Sequence, residues 1–205
     1  MRTQRISAGR LTLVAAVAAC LTLGASSSAW AQTGGAGTTE STTPPPTTPT
    51  TPTTPPTWHT VPGNRAKLNK KGKAIPPANA PIAVQQAMIA ANKIRTYPYR
   101  YGGGHQNIYD TGYDCSGAVS YLLYHAGLLT DPMPSGSFMS GWGEPGKGQW
   151  ITTFANKGHM YAVVAGLRWD TSSFGERRRS SGKGPRWRST KRKPKGFVAA
   201  HYPGF

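Results

Sequence analysis

Residues 113–127 read Tyr113-Asp114-Cys115-Ser116-Gly117-Ala118-Val119-Ser120-Tyr121-Leu122-Leu123-Tyr124-His125-Ala126-Gly127. Val119, Leu122, Leu123 and Ala126 recur at helical spacing, and Gly127 stands where a helix takes a C-cap. Asp114 is a good N-cap residue, so Cys115 falls in the first helical turn. There the free N–H groups and the helix dipole stabilise a thiolate. The plainer alternative is a small apolar residue at a helix start. The chain has two cysteines, and the other, Cys20, lies in an N-terminal apolar segment. A thiol carried alone into an oxidising compartment is either buried and inert or kept for its reactivity.

Upstream, the composition changes twice. Arg2, Arg5 and Arg10 precede the apolar run Leu11–Leu23, and Ala29-Trp30-Ala31 fits a small-x-small cleavage site. The run is short for a membrane span, which needs ~20 residues. Residues 1–31 therefore read as a cleaved signal peptide. Val17-Ala18-Ala19-Cys20 also resembles a bacterial lipoprotein box, but the apolar run continues past Cys20. Residues 32–78 read as a tether. Up to residue 57 it is almost entirely Thr, Pro, Gly and Ser, which cannot bury a core. From 58 to 78 it stays low in apolar content and basic, and is expected to be mostly irregular. The folded domain is then 79–205. Asn79 or Ala80 caps a first helix with Pro81 at its first position, and Ile82, Gln85, Gln86, Ile89, Ala90 and Lys93 mark its period. That helix stops before Pro98.

Between the two helices lies Tyr99-Arg100-Tyr101-Gly102-Gly103-Gly104, read as one wall of a site rather than a free loop. Downstream, glycines and prolines from 132 to 148 mark a long loop. Trp150–Phe154, His159–Val164 and Leu167–Thr171 read as three strands. A nucleophilic cysteine needs a base, and the base needs an orienting group. Of the five histidines, His125 sits roughly 15 Å up the helix axis from Cys115. His59 is in the irregular stretch, His105 in the glycine loop, and His201 near the end. His159 opens a strand that can pack beside the Cys115 helix. A two-residue turn at Ala165-Gly166 pairs Val164 with Leu167 and puts Asp170 on the His159 face, roughly 7–8 Å away diagonally between α-carbons. An odd-length loop presents Thr171 instead.

These residues resemble the NlpC family of bacterial cell-wall endopeptidases. Tyr99-Arg100-Tyr101-Gly102-Gly103 matches its Tyr-x-aromatic-Gly-Gly stretch. Asp114-Cys115-Ser116-Gly117 matches its Asp-Cys-Ser-Gly helix start. Gly158-His159-Met160-Tyr161 matches its histidine at the head of an apolar strand. A Pro-Gly-Asp-Leu turn usual before that histidine is absent; Lys147-Gly148-Gln149-Trp150-Ile151 stands there. The resemblance implies an α+β, papain-like domain with helices on an antiparallel sheet of about five strands. It implies a cysteine-type peptidoglycan endopeptidase with Cys115, His159 and Asp170 as catalytic residues. Thr171 and His201 are the alternatives for the third position. Tyr99, Tyr101, Gly103 and Ser116 fall on the substrate side. The implied substrate is the stem peptide of peptidoglycan, with no cofactor and no metal. The spacing of His105, Cys115 and His159 also lacks the close ligand pattern of a zinc site.

The formal charge is +17, or +14 without the three arginines of the signal segment. Much of it lies between Arg177 and Lys195. Such a run is first of all a solvated loop. Its functional reading is retention on anionic wall polymers outside the cell, and export argues against a nucleic acid partner. The chain is read as an exported monomer, secreted or held at the cell wall. Two other functions remain open at this point: a non-catalytic wall-binding protein, and an amidase or acyltransferase on the same Cys-His scaffold.

Overall fold

The computed structural model describes residues 57–174, 184–189 and 191–205. The expected signal peptide, the Thr/Pro part of the tether, and Arg177, Arg178, Arg179 and Lys183 lie outside the described residues. Helix α1 spans Ile82–Ile94 and α2 spans Cys115–His125. The strands in chain order are β1 (Lys67–Leu68), β2 (Ala74–Ile75), β3 (Glu144–Pro145), β4 (Ile151–Asn156), β5 (His159–Val164), β6 (Leu167–Asp170), β7 (Arg186–Arg188) and β8 (Val198–His201). β1 and β2 form a hairpin of their own. The other six make one antiparallel sheet in the order β3-β8-β4-β5-β6-β7. The fold is α+β with helices packed on an antiparallel sheet, as expected. The sheet has six strands rather than about five, with Glu144–Pro145 and Arg186–Arg188 at its two edges.

The helix ends follow local chemistry. The Asp114 side chain accepts from Gly117 N, and Gly127 takes φ +70° after the last turn of α2. Pro81 is the residue before α1 rather than its first, and its carbonyl accepts from Val84 and Gln85 N–H. The core lies between the helices and one face of the sheet. β5 turns Met160, Ala162 and Val164 inward, each fully buried. Trp169 of β6 faces the same way, its indole N–H donating to Ala118 O of α2. Trp187 of β7 packs against Trp169 with the rings tilted at 48° and 4.8 Å between centroids, and donates to Asn92 of α1. The alternate residues Tyr161, Val163, Arg168 and Asp170 belong to the opposite, outer face.

Two stretches differ from the sequence reading. Residues 58–78, expected to be irregular, hold the β1–β2 hairpin and pack on α1. Val61 and Ala74 are buried, Asn92 of α1 bonds both the N–H and the carbonyl of Ala74, and the Trp58 indole donates to Gln85. Few apolar residues are needed because backbone and amide hydrogen bonds do the tying. The basic run, expected to be a solvated loop, is ordered in its described part. Arg188 is 4% exposed and Trp187 is 5% exposed, and Arg192 lies against the rings of Tyr161, Phe174 and Phe197.

Candidate active site

Cys115 is the first residue of α2, so its N–H belongs to the helix turn that has no intrahelical acceptor. Two glycines bring the Gly102–Gly104 wall onto that turn. A Cβ at Gly117 would lie 2.0 Å from Gly103 O, and one at Gly103 would lie 2.2 Å from Gly112 O. Only hydrogen fits at either contact. Asp114 locks the arrangement. Its Oδ1 accepts from Gly117 N at 2.7 Å and from Ser116 Oγ at 3.1 Å, and its Oδ2 accepts from Gly102 N at 3.1 Å. His105 Nε2 lies 3.1 Å from both Asp114 Oδ1 and Ser116 Oγ. Burial resists the Asp114 charge, but His105, the Gly117 N–H and Ser116 outweigh it and hold the carboxyl below its ordinary range. The hydrogen bond to Asp114 correspondingly raises the His105 pKa.

His159 is set by a tight turn between β4 and β5. The Asn156 side-chain carbonyl accepts from Gly158 N and His159 N, fixing the backbone where the imidazole departs. The next turn fixes Asp170. Val164 pairs with Leu167 and Val163 with Arg168, with Ala165 at φ +46° and Gly166 at φ +87°. This is the two-residue register expected from the sequence, and paired left-handed residues are what such a hairpin requires. Asp170 Oδ1 consequently lies 3.0 Å from His159 Nε2. Nδ1 is the ring nitrogen left for Cys115. Burial opposes charge on the imidazole, but hydrogen bonds to Asp170 and Cys115, with the charges of both, raise the His159 pKa to about 9.

Asp170 is itself fully buried. Ser172 N–H donates to its Oδ1 at 2.8 Å, and Arg168 Nε and Arg192 Nη1 lie 3.4 and 3.3 Å from its Oδ2. Burial pushes its carboxyl up; His159, Ser172 and Arg168 more than reverse this and keep it below the usual carboxylate value. Arg188 Nη1 donates to the Asp170 carbonyl.

The structure brings Cys115, His159 and Asp170 together. Cys115 is 9% exposed, at a helix start whose Gly117 lies against Gly103 and Gly104 of the glycine wall. Tyr99 lines the approach: burial first, then the charge of Cys115 and Asp114, raises its phenol pKa. Tyr101 is 91% exposed. Gly103 and Ser116 are part of the wall and its clamp, where Ser116 Oγ is already engaged by Asp114 and His105. Thr171 is buried, and its carbonyl accepts from Gly184 N. His201 faces Glu144 at 4.0 Å on the far edge of the sheet. Sequence reading missed the roles of His105 and Arg192. A histidine inside a glycine loop nine residues before a capping aspartate was the available signal for the first. Among the described residues no group of His, Cys, Asp and Glu has the arrangement of a metal site, and no helix is long and apolar enough to cross a membrane.

No family model and no curated protein matches the chain. Solved structures are similar over part of it, two of them as follows. One is Rv1477, a hypothetical invasion protein of Mycobacterium tuberculosis, at 19% identity and a TM-score of 0.42, over 59% of this chain and 62% of that one. The other is the peptidoglycan hydrolase RipB (Rv1478) from Mycobacterium tuberculosis, at 21% identity and a TM-score of 0.42, over 62% of this chain and 68% of that one.

Proposed function

We propose that the protein is an exported cysteine peptidase that hydrolyses a peptide bond in the stem peptides of peptidoglycan. The observation that carries the chemistry is the His159 imidazole, bonded through Nε2 to Asp170 and turned toward the thiol at the start of α2. The substrate class rests on the motifs around Tyr99, Cys115 and His159 and on the export signal read from the sequence. Cys115 Sγ, as thiolate, attacks the carbonyl carbon. The oxyanion is met by the Cys115 N–H. His159, charged and held by Asp170, gives its Nδ1 proton to the leaving amine. Water then attacks the thioester, His159 takes one of its protons, and the free acid leaves as the thiolate returns. Tyr99, beside the cleft, contacts the peptide. Purified full-length protein incubated with peptidoglycan should release fragments with a new amine and a new carboxyl, read by mass spectrometry. Cys115→Ala should release none. Fragments linked to an added amine in place of water would make the protein a transferase, and equal release by Cys115→Ala would end the proposal.

A further inference from the structure

The outer face of the sheet carries a pocket of about 380 Å³ that the catalytic reading does not use. Arg168 and Arg192 belong to its wall, and Arg65, Lys147 and Lys191 stand around it. Among the described residues that line it there is no carboxylate. A cleft walled by one sign of charge concentrates the opposite ion. Asp170 pairs with two of these arginines, and its oxygens are already held by His159, Ser172 N–H, Arg168 and Arg192.

The neutral groups fit the same occupant. Tyr161 lines the pocket at 1% exposure, and its hydroxyl has no hydrogen-bond partner among the described residues. A buried hydroxyl without a partner costs about 1–3 kcal/mol, which an arriving acceptor would recover. Thr152 Oγ1 accepts from Gly148 N, so its own proton is left to donate. Ser189 adds a third hydroxyl. Arginine forks and hydroxyl donors around one space suit an anion with several oxygens more than a single carboxylate. Trp150 and Phe154 supply flat apolar surface beside it, and the volume exceeds what one phosphate fills.

We propose that this pocket is a binding site for a phosphate ester, with the phosphate held by the five cations and an attached polyol lying against Trp150 and Phe154. The proposal does not depend on the hydrolase reading. It also differs from diffuse retention by the basic run, since Arg65 and Lys147 come from distant parts of the chain.

The test is calorimetric titration of the full-length protein with inorganic phosphate and with glycerophosphoglycerol, beside sedimentation with phosphatidylglycerol vesicles. Saturable one-to-one binding is expected. Lys147→Gln with Lys191→Gln should weaken it about tenfold, since two charge-assisted bonds are lost. Both lysines are exposed, so folding should survive, and circular dichroism checks it. Lys70→Gln with Lys71→Gln changes the net charge equally, lies outside the pocket, and should leave affinity unchanged. Tighter binding of the diester than of phosphate points to a polymer-type ester; vesicle binding in addition points to a lipid headgroup. No saturable binding of either soluble probe overturns the proposal, even if vesicles bind. So does equal weakening by the two double variants, which would show charge acting without a site.

Discussion

Two histidine–aspartate pairs flank the start of α2, and they do different work. His105–Asp114 and His159–Asp170 have nearly the same geometry, 3.1 and 3.0 Å from Nε2 to carboxylate oxygen. The pairs differ in what else each carboxylate holds. Asp114 accepts from backbone N–H groups of the helix and the glycine wall, so its pair fastens one piece of chain to another. Asp170 is ringed by arginines and a single N–H, so its charge acts on a side chain. The second ring nitrogen of His159 faces a thiol. A His–Asp contact alone therefore does not identify a catalytic pair; the remaining partners of both residues do.

The sharpest way to break this contrast is to remove each imidazole. His159→Ala should lower kcat/KM on a stem-peptide substrate by at least ~10³-fold, the range lost with a positioned acid–base. His105→Ala should leave activity within about tenfold, because it loses only positioning. Similar losses from both would mean that the two pairs share the chemistry. A smaller effect is expected for the carboxylate. Asp170→Asn keeps an oxygen but not the charge and should slow turnover about 10²-fold. It should also move the alkaline limb of the pH profile. In the native protein kcat/KM should fall as pH rises through about 9, where His159 loses its proton. Removing the carboxylate charge removes one of the two partners that raise that pKa, so the limb should shift to lower pH. The same sign applies to stability. A folded pKa raised from 6.5 to about 9 contributes stabilisation fully present below 6.5 and lost as pH climbs through 9. A limb unmoved in Asp170→Asn would detach Asp170 from the base.

The smallest effect on chemistry and the largest on folding should come from Asp114. Asp114→Ala removes an N-cap and strands buried donors, at a cost of about 3 kcal/mol in urea denaturation. Asp114→Asn, which can still cap, should cost about 1 kcal/mol. Equal costs would show that the clamp on Gly102, lost in both variants, carries the stabilisation rather than the cap, which Asp114→Asn keeps.

Much of this was legible in the chain. The cap at Asp114, the helix it opens and the register that carries Asp170 to His159 follow from local rules, because each depends on residues close in sequence. Arg192 was not legible. A run of cations normally stays in water; here a buried carboxylate and three aromatic rings receive one of its members, and Asp170, Tyr161 and Phe174 among them come from distant segments. Trp187 gave a hint, since Arg186-Trp187-Arg188 alternates as a strand does, with Trp187 inward. The β1–β2 hairpin escaped because its ties are hydrogen bonds between the Ala74 backbone and the Asn92 side-chain amide, which leave no apolar period to read.

The turn at Ala165-Gly166 also has a bearing on the order in which the chain assembles. His159 and Asp170 are 11 residues apart and joined by a two-residue loop. Such hairpins close in about 1–10 μs. Cys115 stands 44 residues before His159, and closing the longer loop costs about 1 kcal/mol more entropy. It also waits on the glycine wall and the helix it supports. The imidazole and its carboxylate are thus expected to meet early in folding. The thiol joins them only when the long-range contacts between α2 and the sheet are made, so a half-folded chain carries the base without the nucleophile.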